Sequence, residues 1–150
     1  MSLYYELDPA EDNDPPLLPP ILTPVAVPDK IDVFNKAIAA AANSEAGTVF
    51  YSESTEFVEL AVVLNPEVKK IKCNQMLYVM MVAAGDSIGS LAPPEVVVSY
   101  SYPGLIFLNQ GEAGLVKIEV SSSVNEDTVP DWLVIGLKLR LNNQLQMDEK

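Results

Sequence analysis

VVVSYSYPGLIFLNQGEAGLVKIEV, residues 96–120, decides the fold. A β-branched and aromatic strand runs into Tyr102-Pro103-Gly104, a good turn because proline presets φ and glycine bends freely. A second strand, Leu105–Leu108, turns at Asn109-Gln110-Gly111, which is ordinary hairpin chemistry. A third opens at Ala113-Gly114 and continues to Val120. Three strands joined by turns this short make neighbours of an antiparallel sheet.

Working outward, Ala92-Pro93-Pro94 ends whatever precedes this unit. Before it, Val68–Ser90 reads as one long helix burying Met76, Val79, Met80, Ala83, Ile88 and Leu91. Met76, Met80 and Met81 are core filler first and a flexible docking groove second. Lys69, Lys70 and Lys72 stand at its start, where cations oppose the helix dipole. They read as a solvated face, with anion binding the alternative. Further back, Gly47–Ser52 and Phe57–Leu64 are strands joined at Glu53–Glu56. Those two carboxylates read as a solvated turn, with an acid/base pair the alternative. Asp32 caps a first helix that frays near Asn43 and breaks at Ala46-Gly47. Downstream, Ser121–Asp131 is a polar loop and Trp132–Leu141 a final strand. Trp132 reads as a core residue before a stacking platform. The domain expected over residues 30–141 is α+β, a mixed or antiparallel sheet of five to six strands with two helices on one face.

Residues 1–29 hold seven of the twelve prolines together with six carboxylates. Proline fixes φ and removes a backbone donor, so an extended acidic arm is expected, with neither helix nor central strand. Tyr4, Tyr5, Leu17 and Leu18 are its candidate anchors on a partner or on the domain itself. Residues 142–150 read as a mobile polar tail.

Composition excludes several functions. The chain of 150 residues carries a net charge of −12 and a single arginine, Arg140. Phosphate backbones repel such a surface, so nucleic acid is not an expected partner. There is one cysteine, Cys73, and no histidine. No disulfide, no ordinary zinc site and none of the histidine-based nucleophile triads is expected. No run is long enough for a membrane span and no signal peptide is visible, so a soluble cytoplasmic protein is expected.

The order of elements, together with several short motifs, resembles the catalytic domain of the biotin/lipoate protein ligase superfamily, in a compact bacterial branch. The motifs are Ala46-Gly47-Thr48, Ala61-Val62-Val63-Leu64-Asn65-Pro66-Glu67, Gly85-Asp86-Ser87-Ile88-Gly89, Ala92-Pro93-Pro94-Glu95-Val96, Tyr102-Pro103-Gly104 and Pro130-Asp131-Trp132-Leu133-Val134-Ile135-Gly136. The resemblance implies a class II synthetase/biotin ligase-like fold. It also implies a two-step activity, in which an acid and ATP form an acyl-adenylate whose acyl group passes to a lysine on a carrier protein. By that resemblance Tyr102, Pro103, Gly104, Asn109, Gly114 and Lys117 are the candidate ligand-binding residues. Gly114 admits two readings, close approach of a ligand or easier sheet packing.

The departures from the family pattern matter as much. The leaving phosphate needs cations aimed at it beforehand. The family supplies them from an Arg/Gly-rich loop after the first helix, a lysine before Trp-Pro and a lysine just before Ala-Gly. Here those positions read Asn43–Thr48 without arginine, Ser101, and Gly111 or Glu112. The resemblance therefore implies a degenerate ligase with no catalytic residue, no metal and no cofactor, acting by binding a protein partner or an acyl or biotinyl group. A carrier protein is the further candidate partner. The alternatives are a working biotin/lipoate-type ligase or acyltransferase, with biotin, lipoate and ATP as its ligands, and an accessory subunit of a larger complex.

Overall fold

The structure, a computed structural model, describes residues 14–122 and 125–140. Asp32 starts the first helix as its side chain pattern predicts: its carboxylate accepts from the Asn35 amide at 2.9 Å, capping α1 (Val33–Ala40). A 3₁₀ turn, Ala41–Asn43, closes that helix. Gly47 then reverses the chain at φ +92°.

Seven strands form one sheet: β1 (Thr23–Val27), β2 (Thr48–Ser52), β3 (Phe57–Leu64), β4 (Val98–Ser101), β5 (Leu105–Leu108), β6 (Gly111–Val120) and β7 (Leu133–Arg140). Their order is β1-β2-β3-β7-β6-β5-β4. β1 runs parallel to β2 and every other pair is antiparallel. The three-strand unit at residues 96–120 is as expected. Asn109 and Gln110, both at positive φ, make the two-residue turn between β5 and β6. β7 is central, and Leu133–Leu137 are buried without interruption because both faces are covered.

The sheet departs from expectation in three respects. It has seven strands rather than five or six, because Thr23–Val27 belongs to it although this segment falls within the expected arm. Pro24 can sit there because β1 is an edge strand, where a missing donor costs no ladder bond. Farther out in the arm, Leu17 and Ile21 are exposed while Leu18 and Leu22 are half-buried. Second, the helices lie on opposite faces rather than on one. α1 packs on Ala61, Val63 and Val134. The second helical segment packs on Ile106, Val116, Leu133, Ile135 and Leu137. Adjacent residues of β3 and β7 point to opposite sides, so each strand feeds both cores.

Third, the long helix is two pieces, α2 (Lys70–Cys73) and α3 (Gln75–Leu91), divided at Asn74. The Lys70 and Ile71 amides donate to the Thr128 and Glu126 carbonyls at 2.8 and 3.1 Å, tying α2 to the loop before β7. Lys69 and Lys70 lie 3.9 Å from Asp127 and Glu126 respectively, so these two lysines pair with that loop. α3 buries Leu77, Met81, Ala84 and Gly85; Met76, Met80 and Ile88 are half-buried, whereas Val79, Ala83 and Leu91 are exposed. The helix is apolar round most of its circumference, so periodicity does not select its face. Among the described residues no helix is long and apolar enough to cross a membrane.

Candidate functional site

The richest chemistry lies on the α1 face, where the first turn of α1 meets β3, β7 and β6. Strand alternation puts Glu59 of β3, Gly136, Lys138 and Arg140 of β7, and Lys117 of β6 on this side. Glu59 accepts a hydrogen bond from the Val33 amide at 3.2 Å. Its other oxygen is 3.9 Å from the Lys138 ammonium. The open N-terminus of α1 is thus held by the protein's own carboxylate, which takes the place an external anion would favour.

Phe34 lies over Gly136. A Cβ built on Gly136 would stand 2.5 Å from the Phe34 ring, so only glycine lets that ring down onto the strand. The Lys117 ammonium sits 5.7 Å from the Phe34 centroid. What remains between Phe34, Glu59, Lys117 and Lys138 is a cavity of 70 Å³. A shallower hollow of 440 Å³ adjoins it, sharing Leu115 and Lys138 and reaching Phe57, Glu112, Gly114 and Arg140. Lys138 and Arg140 stack on Phe57 at 4.5 and 6.0 Å from its centroid.

This arrangement can attract a carboxylate or phosphate at its rim. It holds no nucleophile beside a base. Among the described residues no group of His, Cys, Asp and Glu could hold a metal ion. Cys73 belongs to the other core, and burial pushes its thiol pKa up, away from the reactive thiolate.

The six sequence-derived ligand residues are dispersed. Lys117 alone points its side chain into this cleft. Tyr102 is 77% exposed in the β4–β5 turn, with Pro103 beside it. Gly104 is buried, and its carbonyl accepts from the Val116 amide at 2.8 Å. Asn109 braces the sheet edge by accepting from the Val97 amide at 2.9 Å. Gly114 faces the α3 side, where a Cβ would collide with Leu139; only its backbone reaches the hollow. Trp132 packs in the α1 core. Of the arm's anchors, Leu17 is exposed and Leu18 half-buried, while Tyr4 and Tyr5 lie outside the described residues, as does the tail from residue 142.

Sequence reasoning missed Phe34, Glu59, Gly136, Lys138 and Arg140 as one site. Two signals pointed to it. Glu59 is a lone charge inside an apolar strand, and Gly136, Lys138 and Arg140 share one face by their spacing of two.

A model of the family described as "Biotin/lipoate A/B protein ligase family" matches residues 18–150. Comparison with curated proteins returned no match. Among solved structures, a biotin protein ligase-like protein of unknown function from Silicibacter sp. TM1040 is 36% identical with a TM-score of 0.78, over 89% of this chain and 58% of that one. The apo biotin protein ligase of Aquifex aeolicus is 16% identical with a TM-score of 0.61, over 82% and 52%. A biotin acetyl coenzyme A carboxylase synthetase from Helicobacter pylori, solved with biotinylated ATP, is 10% identical with a TM-score of 0.55, over 79% and 60%. The last two share the fold. The chain spans between 52% and 60% of the length of these three proteins.

Proposed function

The chain belongs to the biotin/lipoate A/B protein ligase family, and from that premise we propose that it has lost adenylation chemistry and works by holding a protein partner or an acyl group. The observation that carries this reading is the closed cleft. Phe34 on Gly136 and Glu59 on the α1 amide leave 70 Å³ at the head of α1, where small-molecule sites span roughly 300–1,000 Å³; the 440 Å³ hollow beside it is a shallow, open surface. The chemistry at the rim supports it. Glu112 lines the hollow close to where the family pattern puts a lysine, and a carboxylate there repels a developing phosphate charge.

The test is pyrophosphate release by the whole protein with ATP, magnesium and either biotin or lipoate. No release above a protein-free control is expected. Phe34→Ala, which opens the cleft, is expected to stay inactive because it restores no cation. Acid-dependent release by the unaltered protein would overturn the proposal. Calorimetric titration with a biotinylated or lipoylated carrier domain then separates the two modes of holding. Heat with the modified but not the bare domain supports an acyl site, and equal heat with both supports a protein surface.

One observation favours the reading of a working ligase: Lys117, Lys138 and Arg140 converge on the same face from two strands. Under that reading, Lys138→Ala together with Arg140→Ala abolishes any release observed.

A further inference from the structure

The side of α3 turned away from the sheet carries a strict heptad stripe. Lys72, Gln75, Val79, Val82, Asp86 and Gly89 follow one another at spacings of three and four, and all six are exposed. Val79 and Val82, at its centre, are 56% and 54% exposed, with Tyr78 beside them at 51%. A helix side that faces water is ordinarily polar. Here the charges stand toward the two ends instead, Lys72 at one and Asp86 near the other. The stripe runs through the division between α2 and α3, because Asn74 keeps right-handed helical dihedrals, φ −60° and ψ −19°. From Lys72 to Gly89 it measures about 26 Å. Lys69 and Lys70 pair with the loop before β7, but among the described residues neither Lys72 nor Asp86 has an ion-pair partner.

We propose that this stripe is the contact of a homodimer, in which α3 packs antiparallel on α3 of a second copy. The charge of the stripe itself selects both the occupant and the direction. It is basic at its N-terminal end and acidic toward its C-terminal end, so it is complementary to its own reverse. A two-fold axis perpendicular to the helix supplies that reversal and closes the contact at two copies. With the axis between Val79 and Val82, Val79 meets Val82 of the second copy in both halves. Gln75 then stands opposite Asp86 and can donate its amide to that carboxylate. Lys72 stands opposite Gly89, where a Cβ would meet nothing. The bare position lets the lysine stem lie across it, and the ammonium reaches Asp86 about 4.5 Å along the axis. A parallel pairing would set Lys72 on Lys72 and Asp86 on Asp86, which like charge disfavours. The contact is small: about 26 Å by about 10 Å falls well below the standard interface of about 800 Å² a side, so the dimer is weak. The net charge of −12 opposes self-association at low salt. At about 0.15 M the screening length is about 8 Å, and two copies in contact feel chiefly the balanced stripe. α3 lies across the sheet from the cleft of Phe34 and Lys117, so this proposal does not rest on loss of adenylation.

The test is equilibrium sedimentation of the whole protein in about 0.15 M salt, from micromolar to millimolar concentration. The mean mass is expected to rise toward twice that of the chain. Lys72→Glu and Asp86→Lys each set like charges across the contact, and each is expected to weaken the dimer at least about tenfold. Both positions are exposed, so each variant is expected to keep its melting temperature. Mixed one to one, the two variants are expected to associate again, because each supplies at both ends the charge that the other lacks. A monomer at every concentration, a dimer that both variants leave intact, or a mixture that stays monomeric would overturn the proposal.

Discussion

Tyr100, on the edge strand β4, lays its ring against α3 at the point where residue 85 has no side chain. A Cβ there would overlap the Tyr100 hydroxyl and lie 2.9 Å from its Cζ. In a helix interior alanine is favoured over glycine by about 1 kcal/mol, so two effects oppose each other. Gly85→Ala is expected to destabilise the protein while Tyr100 is present, and to stabilise it by about 1 kcal/mol in a Tyr100→Ser background. A double-mutant cycle by urea denaturation reads the coupling, and an additive cycle would show that the ring simply swings aside. Cys73 poses a second residue-scale question. Its Sγ lies 3.7 and 3.6 Å from the Val68 and Lys69 carbonyls, a setting for a neutral S–H donor. Burial pushes its pKa up, so the folded state holds the thiol proton more tightly than the unfolded state does. This contribution is complete below the unfolded thiol pKa of about 8.5 and is lost as pH rises above it. The stability advantage of the unaltered protein over Cys73→Ala is therefore expected to shrink above that pH. Iodoacetamide should label Cys73 only after unfolding.

At the scale of the element, α1 is held at its first turn by two carboxylates from different parts of the chain. Asp32 is local, and a sequence reading finds it. Glu59 arrives from β3, and only the paired fold brings it to the Val33 amide. Asp32→Ala is expected to cost about 1 kcal/mol. Glu59→Ala strands the amide of a fully buried residue and is expected to cost about 1–3 kcal/mol. Glu59→Gln keeps an acceptor and gives up only the ion pair to the half-exposed Lys138, a loss of less than about 1 kcal/mol. Thermal unfolding of the three variants checks that order. If Glu59→Gln proves as costly as Glu59→Ala, the ion pair rather than the cap is what stabilises the helix. α3 shows the opposite limit of legibility. Its C-terminal end follows from Ala92-Pro93-Pro94, but the division at Asn74 was not legible and neither was its phase, because Tyr78, Val79 and Val82 make the outward side nearly as apolar as the inward one.

At the scale of the whole molecule, 21 carboxylates oppose nine cations, and several of those cations are already committed. Lys69 and Lys70 pair with the loop before β7, and Lys138 pairs with Glu59. The remaining negative charge repels itself in the compact state. Raising the ionic strength from about 0.01 M to about 0.15 M shortens the screening length from about 30 Å to about 8 Å. It should therefore raise the melting temperature. A fall would show that the specific ion pairs outweigh the general repulsion.

By itself the sequence determined the strand unit at residues 96–120, the hairpin of β2 and β3, the cap at Asp32 and the family. These are local: each rests on turn chemistry, a period of two, or a residue type at a given place. The tertiary structure alone decided that the helices lie on opposite faces, that Thr23–Val27 joins the sheet through parallel pairing, and that Phe34, Glu59, Gly136 and Lys138 share one cleft. Those facts depend on which strands become neighbours. Phe34 and Gly136 are far apart along the chain, and no local pattern encodes that a ring from α1 will come to rest on a bare strand of β7. The candidate ligand residues came from a family resemblance that follows chain order, whereas a sheet sends alternate residues to opposite sides. That is why Lys117 and Gly114, three positions apart, face different cores.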